Sequence, residues 1–270
     1  MNDLFTELTT LTEDFSFDDN YLFHYTDADT FINKILKNRN FLFNAYKNVR
    51  DPFEYKKKSY ILDSNRDPSP SCISLNKKIT DFINNEIRTA CFCLNYRHIK
   101  NNDIAMSRGF SKSRMWAACA SQHSGVCLVF DKNRLIENVL QFSSPDTFCA
   151  KKVRYTNDIY LSHLKFDISA VFTSSEENIS DAEIFKNYKK YFFIKDSDYE
   201  DADEFRIIFH DNSEKSVLLP YKDCLKAVII GDNFNKNSFN AIKEAEAISE
   251  IQFFEYYFHD FIYKLRKIDF

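Results

Sequence analysis

Residues 114–131 read RMWAACASQHSGVCLVFD. The period of the pattern changes partway along this stretch. From Met115 to about Ser121 the residues suit a short helix. Gly125 is a turn signal. Val126 to Phe130, VCLVF, is a continuous apolar run of strand length and the clearest buried strand in the chain. The stretch is therefore expected to be a helix–turn–strand unit at the centre of a mixed fold. It also crowds together rare residues: the chain's single tryptophan Trp116, one of its three glycines, His123, Cys119 and Cys127. If the helix continued, Cys119 and His123 would share a face. No CxxC pair accompanies them, Cys127 alternates inside an apolar strand, and zinc ligands are usually more tightly spaced. Small packing residues surround Cys119, not the electropositive setting that a reactive thiol needs. The expectation is buried thiols and no metal, with Trp116 packing or lining a cleft wall and His123 a candidate cleft residue.

Working outward, YLFHY (21–25) reads as a strand of aromatic and apolar residues. Thr26 and Asp29 form a capping-box pattern ahead of Phe31, Ile32, Ile35 and Leu36 at helical spacing. FLFNA (41–45) reads as a second strand, and RDPFE (50–54) as a loop because Pro52 biases Asp51 away from helix. Leu75, Ile79, Phe82, Ile83 and Ile87 outline an amphipathic helix that leads to a strand at 90–94. After the central strand come a helix near 132–141, a strand near 148–155, an exposed acidic loop at 174–183, and a helix carrying Ile184, Phe185, Tyr188 and Phe192. Strands follow at 204–210, 225–230 and 251–257, with a helix over 238–249 and a last strand at the end. Helices and strands interleave without a sustained βαβ rhythm. The fold class is α+β: a single mixed domain over 1–270, with small, predominantly antiparallel sheets flanked by helices.

Composition excludes several function classes. The net charge is -4 and the pI about 5.9, so there is no global basic footprint for duplex nucleic acid. With three glycines, neither GxGxxG nor GxxxxGK[ST] can be written, and any nucleotide must be held mostly by side chains. The N-terminus has no secretory pattern, and no uncharged run approaches the ~20 residues of a bilayer span. Seven cysteines without a framework spacing point to reduced thiols. A cytoplasmic protein without a membrane anchor is expected.

Two quieter places carry candidate chemistry. In DSDYEDADE (196–204) an EF-hand would need Gly where Asp201 stands and Glu where Ile207 stands, so calcium fails and a solvated loop explains most of the run. Its last acid, Glu204, opens the apolar strand EFRIIFH. It is either a surface carboxylate paired with an arginine or a carboxylate facing a cleft. His24 and Tyr25, where the first strand hands over to a helix, are either a buried hydrogen-bonded pair or a pocket lining.

Taken together, HYT (24–26), FLFNAYKNVRDPFE (41–54), MWAACASQHSGVCLVFD (115–131), Lys195, Tyr199, Glu204-Phe205-Arg206 and Ile229-Ile230-Gly231 resemble a bacterial family known as domain of unknown function 2971. The sequence departs from that pattern at Arg50 (usually Asn), Tyr199 (usually Trp) and Ala202 (commonly the first Glu of Glu-x-Glu). More distantly, an early His-Tyr pair with a late strand Glu resembles the His–Tyr–Glu arrangement of ADP-ribosyltransferases. That fold holds NAD between small sheets without a glycine loop. The resemblance implies an NAD-consuming enzyme, with a toxin or phage-defence effector as its setting, acting on a protein, nucleic-acid or water acceptor. Glu204 would stabilise positive charge on the ribose, His24 would bond a ribose hydroxyl, and Tyr25 would pack against a cofactor ring. Asn44, Trp116, His123 and Arg206 would complete the cofactor site. The alternatives are a non-catalytic nucleotide- or protein-binding module, favoured by Ala202, and a partner protein recognised through its aromatic surface.

Overall fold

The computed structural model describes residues 19–49, 54, 70–95, 108–157, 180–213, 216–221, 223–245, 250–260 and 262–270. Strand β1 (Tyr21–Thr26) is followed by a wide helical turn (Thr30–Leu36) and β2 (Asn40–Ala45). Asp27 caps the turn, because its carboxylate accepts the Thr30 amide at 2.8 Å, so the cap falls between the expected Thr26 and Asp29. Helix α1 (Pro70–Asp81) runs through a turn (Phe82–Glu86) into β3 (Ile87–Cys93). Then come α2 (Ser113–Cys119), β4 (Val126–Asp131), α3 (Lys132–Leu140), β5 (Phe148–Lys152), β6 (Arg154–Thr156), α4 (Asp181–Tyr188), β7 (Ile194–Asp196), β8 (Glu204–His210), β9 (Val217–Pro220), β10 (Leu225–Gly231), α5 (Phe239–Lys243), β11 (Gln252–His259) and β12 (Ile262–Ile268). Residues 50–53 of the expected RDPFE loop, 174–179 of the acidic loop and 246–249 of the expected helix lie outside the described residues.

The fold is mixed α+β, but the expectation of several small sheets is corrected. Ten strands form one sheet in the order β12-β11-β10-β4-β1-β3-β2-β9, with β8 on β3 and β5 on β8, while β6 and β7 form a separate two-stranded ribbon. The pairs are antiparallel except β10–β11 and β6–β7. The sheet opens at one point. Strands β1 and β3 meet at a single registered pair, Phe23 with Cys93, and further along β3 the neighbour is β2, through Asn44–Thr89 and Ala45–Arg88.

Side chains alternate across each strand, so register assigns faces. One face carries Leu22, Phe92, Phe130, Ile207 and Phe209 in a continuous core with Phe41 and Phe43. The opposite face carries two apolar clusters. One gathers Ile83, Ile87, Phe185, Tyr188, Phe192 and Ile208; the other gathers Phe23, Tyr25, Trp116, Val129, Ile229 and Tyr256.

The opening stretch forms helix, turn and strand as expected, but Gly125 acts differently. Left-handed backbone falls on Ser121 (φ 47°), Gln122 (φ 55°) and His123 (φ 66°), and none of the glycines has positive φ. Gly125 is required by close approach: a Cβ there would stand 2.3 Å from the Thr26 carbonyl oxygen. Among the described residues no helix is long and apolar enough to cross a membrane.

A buried ionic ring as candidate functional site

Strand β8 places Glu204 and Arg206 two residues apart, hence on one face of the sheet. They lie opposite Cys93 and Cys91 of β3, whose side chains share that face. Both are buried, Arg206 completely. A buried charge is tolerated only when it is paired and hydrogen-bonded. The guanidinium Nε donates to Glu204 Oε1 at 2.7 Å, and Nη1 donates to Glu54 Oε2 at 2.5 Å and to the Phe192 carbonyl at 2.7 Å. Lys195 Nζ reaches Glu204 Oε2 at 3.1 Å and Glu54 Oε1 at 3.2 Å. Each cation therefore touches both carboxylates, closing a charge-balanced ring of four.

The surroundings follow from local structure. Tyr155 and Lys195 are registered partners in the β6–β7 ribbon, and both reach Glu204. The Tyr155 hydroxyl accepts the Glu204 amide at 2.8 Å, and the Lys195 ammonium pairs with the carboxylate. The Lys195 ammonium lies 4.6 Å from the centre of the Tyr199 ring, a cation–π contact. Tyr46 donates to Glu54 Oε2 at 3.2 Å. Burial opposes ionisation of Glu54, but Arg206 and then Lys195 outweigh it and hold the carboxyl at about 2. The same balance lowers Glu204, where burial is again outweighed by Arg206 and Lys195. For Arg206 burial is outweighed by the two carboxylates, which raise it well above its ordinary value. All four groups are charged at neutral pH.

The residues singled out in the sequence divide among three places. Glu204 and Arg206 are in the ring. Asn44 is half-buried and shares their face, since it opposes Thr89 of β3. Tyr25 shares that face too, through the Phe23–Cys93–Glu204 register, but it is buried. It is 5% exposed, its hydroxyl donates to the Gly109 carbonyl at 2.7 Å and accepts the Lys112 amide at 3.3 Å. Trp116 is fully buried, donates to the Phe110 carbonyl at 2.7 Å, and meets Tyr25 edge-on at 5.3 Å. His123 stacks between Trp116 and Tyr263 at 5.3 Å from each. Trp116 and His123 thus belong to an aromatic stack beyond Tyr25, away from the ring.

His24 is on the opposite face. Its ring meets Phe41 and Phe92 edge-on, and Nδ1–H donates to the Cys91 carbonyl at 2.9 Å where β1 and β3 part. The expectation that His24, Tyr25 and Glu204 line one surface is corrected for His24. The reason is elementary: neighbours on a strand point to opposite sides. Glu54 and Lys195 were quoted in the sequence but given no part. Their sequence signals are their places in the family-like fragments and a charge that could pair with Glu204 and Arg206.

Several ring residues fall in a stretch shared with other proteins. Residues 115–207 match the profile of a family described as protein of unknown function (DUF2971). The match spans Trp116, the central strand, Lys195, Glu204 and Arg206, and stops short of Glu54, His24 and Tyr25. No curated protein and no solved structure matches the chain.

Proposed function

We propose that the protein is an NAD-consuming, ADP-ribosyltransferase-like enzyme in which Glu204 is the charge-stabilising carboxylate. The observation that carries this reading is the position of Glu204. It is an ionised carboxylate at the start of β8, two strands from β1 and level with the Phe23–Cys93 pair where the sheet parts. Departure of nicotinamide breaks the bond from ribose C1′ to the ring nitrogen, and the bonding pair leaves with nicotinamide. An anion near C1′ stabilises the oxocarbenium character that develops, as in glycoside cleavage. The acceptor's oxygen or nitrogen then bonds C1′ and its proton passes to a base, a role Glu204 can fill once Lys195 releases Oε2. Asn44 lies on the same face, opposite Thr89 and so four residues along β3 from Cys93, the partner of Glu204. Tyr25 and Trp116 support the wall, and His24 faces the other side of the sheet.

A specific observation favours the rival reading, a non-catalytic binding module. Both Glu204 oxygens are already taken by cations, Oε1 by Arg206 and Oε2 by Lys195. One experiment separates the two. Purified protein is incubated with labelled NAD and with protein and nucleic-acid acceptors, and nicotinamide release, label transfer and NAD binding are followed together. The enzyme reading expects release from wild type and a fall of ~10²–10³ in rate for Glu204→Gln, with folding checked by circular dichroism. NAD bound without release supports the binding module, and release unchanged in Glu204→Gln removes the proposed role of Glu204.

A further inference from the structure

At the far end of β8 from Glu204, about 20 Å away at the rise of a strand, His210 faces two carboxylates. Its Nε2 lies 3.0 Å from Glu86 Oε2 and 3.9 Å from Asp181 Oδ2. The three ligand atoms all fall within 4.8 Å of one another. They come from three elements: Glu86 ends the turn before β3, Asp181 opens α4 and His210 closes β8. Two backbone features fix the approach. Ile87 opposes His210 in the β3–β8 register, and the Asp211 amide donates to the Glu86 carbonyl at 2.8 Å. The Phe82 ring, 5.0 Å from the imidazole, backs it from the core side.

A simple ion pair does not account for this arrangement. Glu86 accepts the one hydrogen that Nε2 can carry, at 3.0 Å, and Asp181 faces the same nitrogen at 3.9 Å, beyond hydrogen-bond reach. The neighbouring arginine is already committed: Arg88 pairs with Asp211 at 3.5 Å and donates to the Asn85 carbonyl at 2.5 Å. Two carboxylates thus face one imidazole nitrogen, whose lone pair becomes available to a cation that displaces its proton. From these contacts we infer that Glu86, Asp181 and His210 bind a single divalent transition cation of the zinc type, with the fourth position open to water. Ligand atoms at the usual ~2.0–2.2 Å from zinc stand ~3.3–3.6 Å apart in a tetrahedron, between the two separations observed here. The imidazole selects zinc over magnesium, which takes oxygen ligands. Asp181 is the most exposed of the three, with about half its side chain accessible, and can rotate inward to shorten the longer edge. This is a different place from the Cys119–His123–Cys127 stretch whose spacing argued against a metal.

The test is calorimetric titration of the metal-free full-length protein, kept reduced, with ZnCl₂ and separately with MgCl₂. The expected result is one Zn²⁺ per chain, a higher Tm with zinc, and affinity lower by ~10-fold or more in His210→Ala and in Asp181→Asn, since even outer partners of a ligand are worth ~10–100-fold. Asp181→Asn is a surface change in the first turn of a helix, and it decides the matter if His210→Ala does not fold. No zinc binding by wild type overturns the site, as does affinity unchanged in Asp181→Asn, which would assign the zinc to the thiols. Magnesium bound as tightly as zinc overturns the zinc assignment.

Discussion

The two faces of β8 solve the same burial problem with opposite chemistry. Ile207 and Phe209 enter a continuous apolar core with Phe41, Phe43, Phe92 and Phe130. Glu204 and Arg206, on the other face, enter the ionic ring. Ile208 follows on that face within an apolar cluster, and a second cluster lies beyond the ring around Tyr25 and Trp116. The apolar face depends on volume, and each lost group is felt mainly by its immediate contacts. The ionic face depends on completeness. Every charge in the ring serves two others, so removing any member leaves the other three with a net buried charge. A ring of this kind is weak evidence for extra stability and better evidence for a fixed arrangement of Glu54, β7 and β8.

The largest expected effect follows from that difference. Arg206→Met should destabilise by ~3–5 kcal/mol, because it leaves the buried carboxylates of Glu204 and Glu54 to share Lys195 alone. Equilibrium urea unfolding measures it. Replacing all four ring residues by apolar ones of similar volume should restore stability close to wild type, as buried ion pairs often tolerate such exchange. If Arg206→Met costs no more than a surface ion pair, the proposed contrast between the faces fails.

Acid should break the ring next, with an effect on the order of 3 kcal/mol for Glu54 alone. Its carboxyl is held at about 2 against an ordinary 4.5. A depressed folded-state value means that the unfolded chain takes up the proton first as pH falls. The stabilisation is complete above about 4.5 and is lost progressively down to about 2. Glu204 is shifted in the same direction and adds to the slope. Unfolding free energy measured between pH 5 and pH 2.5, taken as ~1-unit steps of that linkage, should fall more steeply in wild type than in Glu54→Gln. Parallel curves would mean that the ring does not hold Glu54 ionised.

The same two faces show what could be read in the sequence. EFRIIFH alternates, so Phe205, Ile207 and Phe209 could be assigned to one side and Glu204 with Arg206 to the other from period alone. VCLVF was legible as a core strand because five apolar residues leave little else. The separation of His24 from Tyr25 also follows from period two and was available from the start. The composition of the ring was not legible. Glu54 lies ahead of α1 in the chain and Lys195 in a three-residue strand, and tertiary packing alone brings them to Arg206. Strand β9 (VLLP) is short and ends in proline, so it carries no strand signal of its own; pairing with β2 makes it one. In the turn before β4 the left-handed backbone falls on Ser121, Gln122 and His123 and not on Gly125, which local propensity disfavours.

The smallest expected effect sharpens the comparison most. Ile207→Val and Ile208→Val remove one methylene each from fully buried positions on opposite faces, and each should cost ~0.5–1.5 kcal/mol. Taken singly they do not distinguish the faces. Combined with Arg206→Met they should. Ile207 points away from the ring and shares no ring partner, so its cost should add to that of Arg206→Met within ~0.3–0.5 kcal/mol. Ile208 lies on the ring face in the cluster with Phe192, whose carbonyl accepts from Arg206. Its double variant should depart from additivity by ~0.5 kcal/mol or more, because loosening that cluster changes how far the stranded carboxylates can relax. Equal additivity for both isoleucines would mean that the ring and the apolar cluster beside it are energetically separate, and that the ionic face is a local patch and not one cooperative unit.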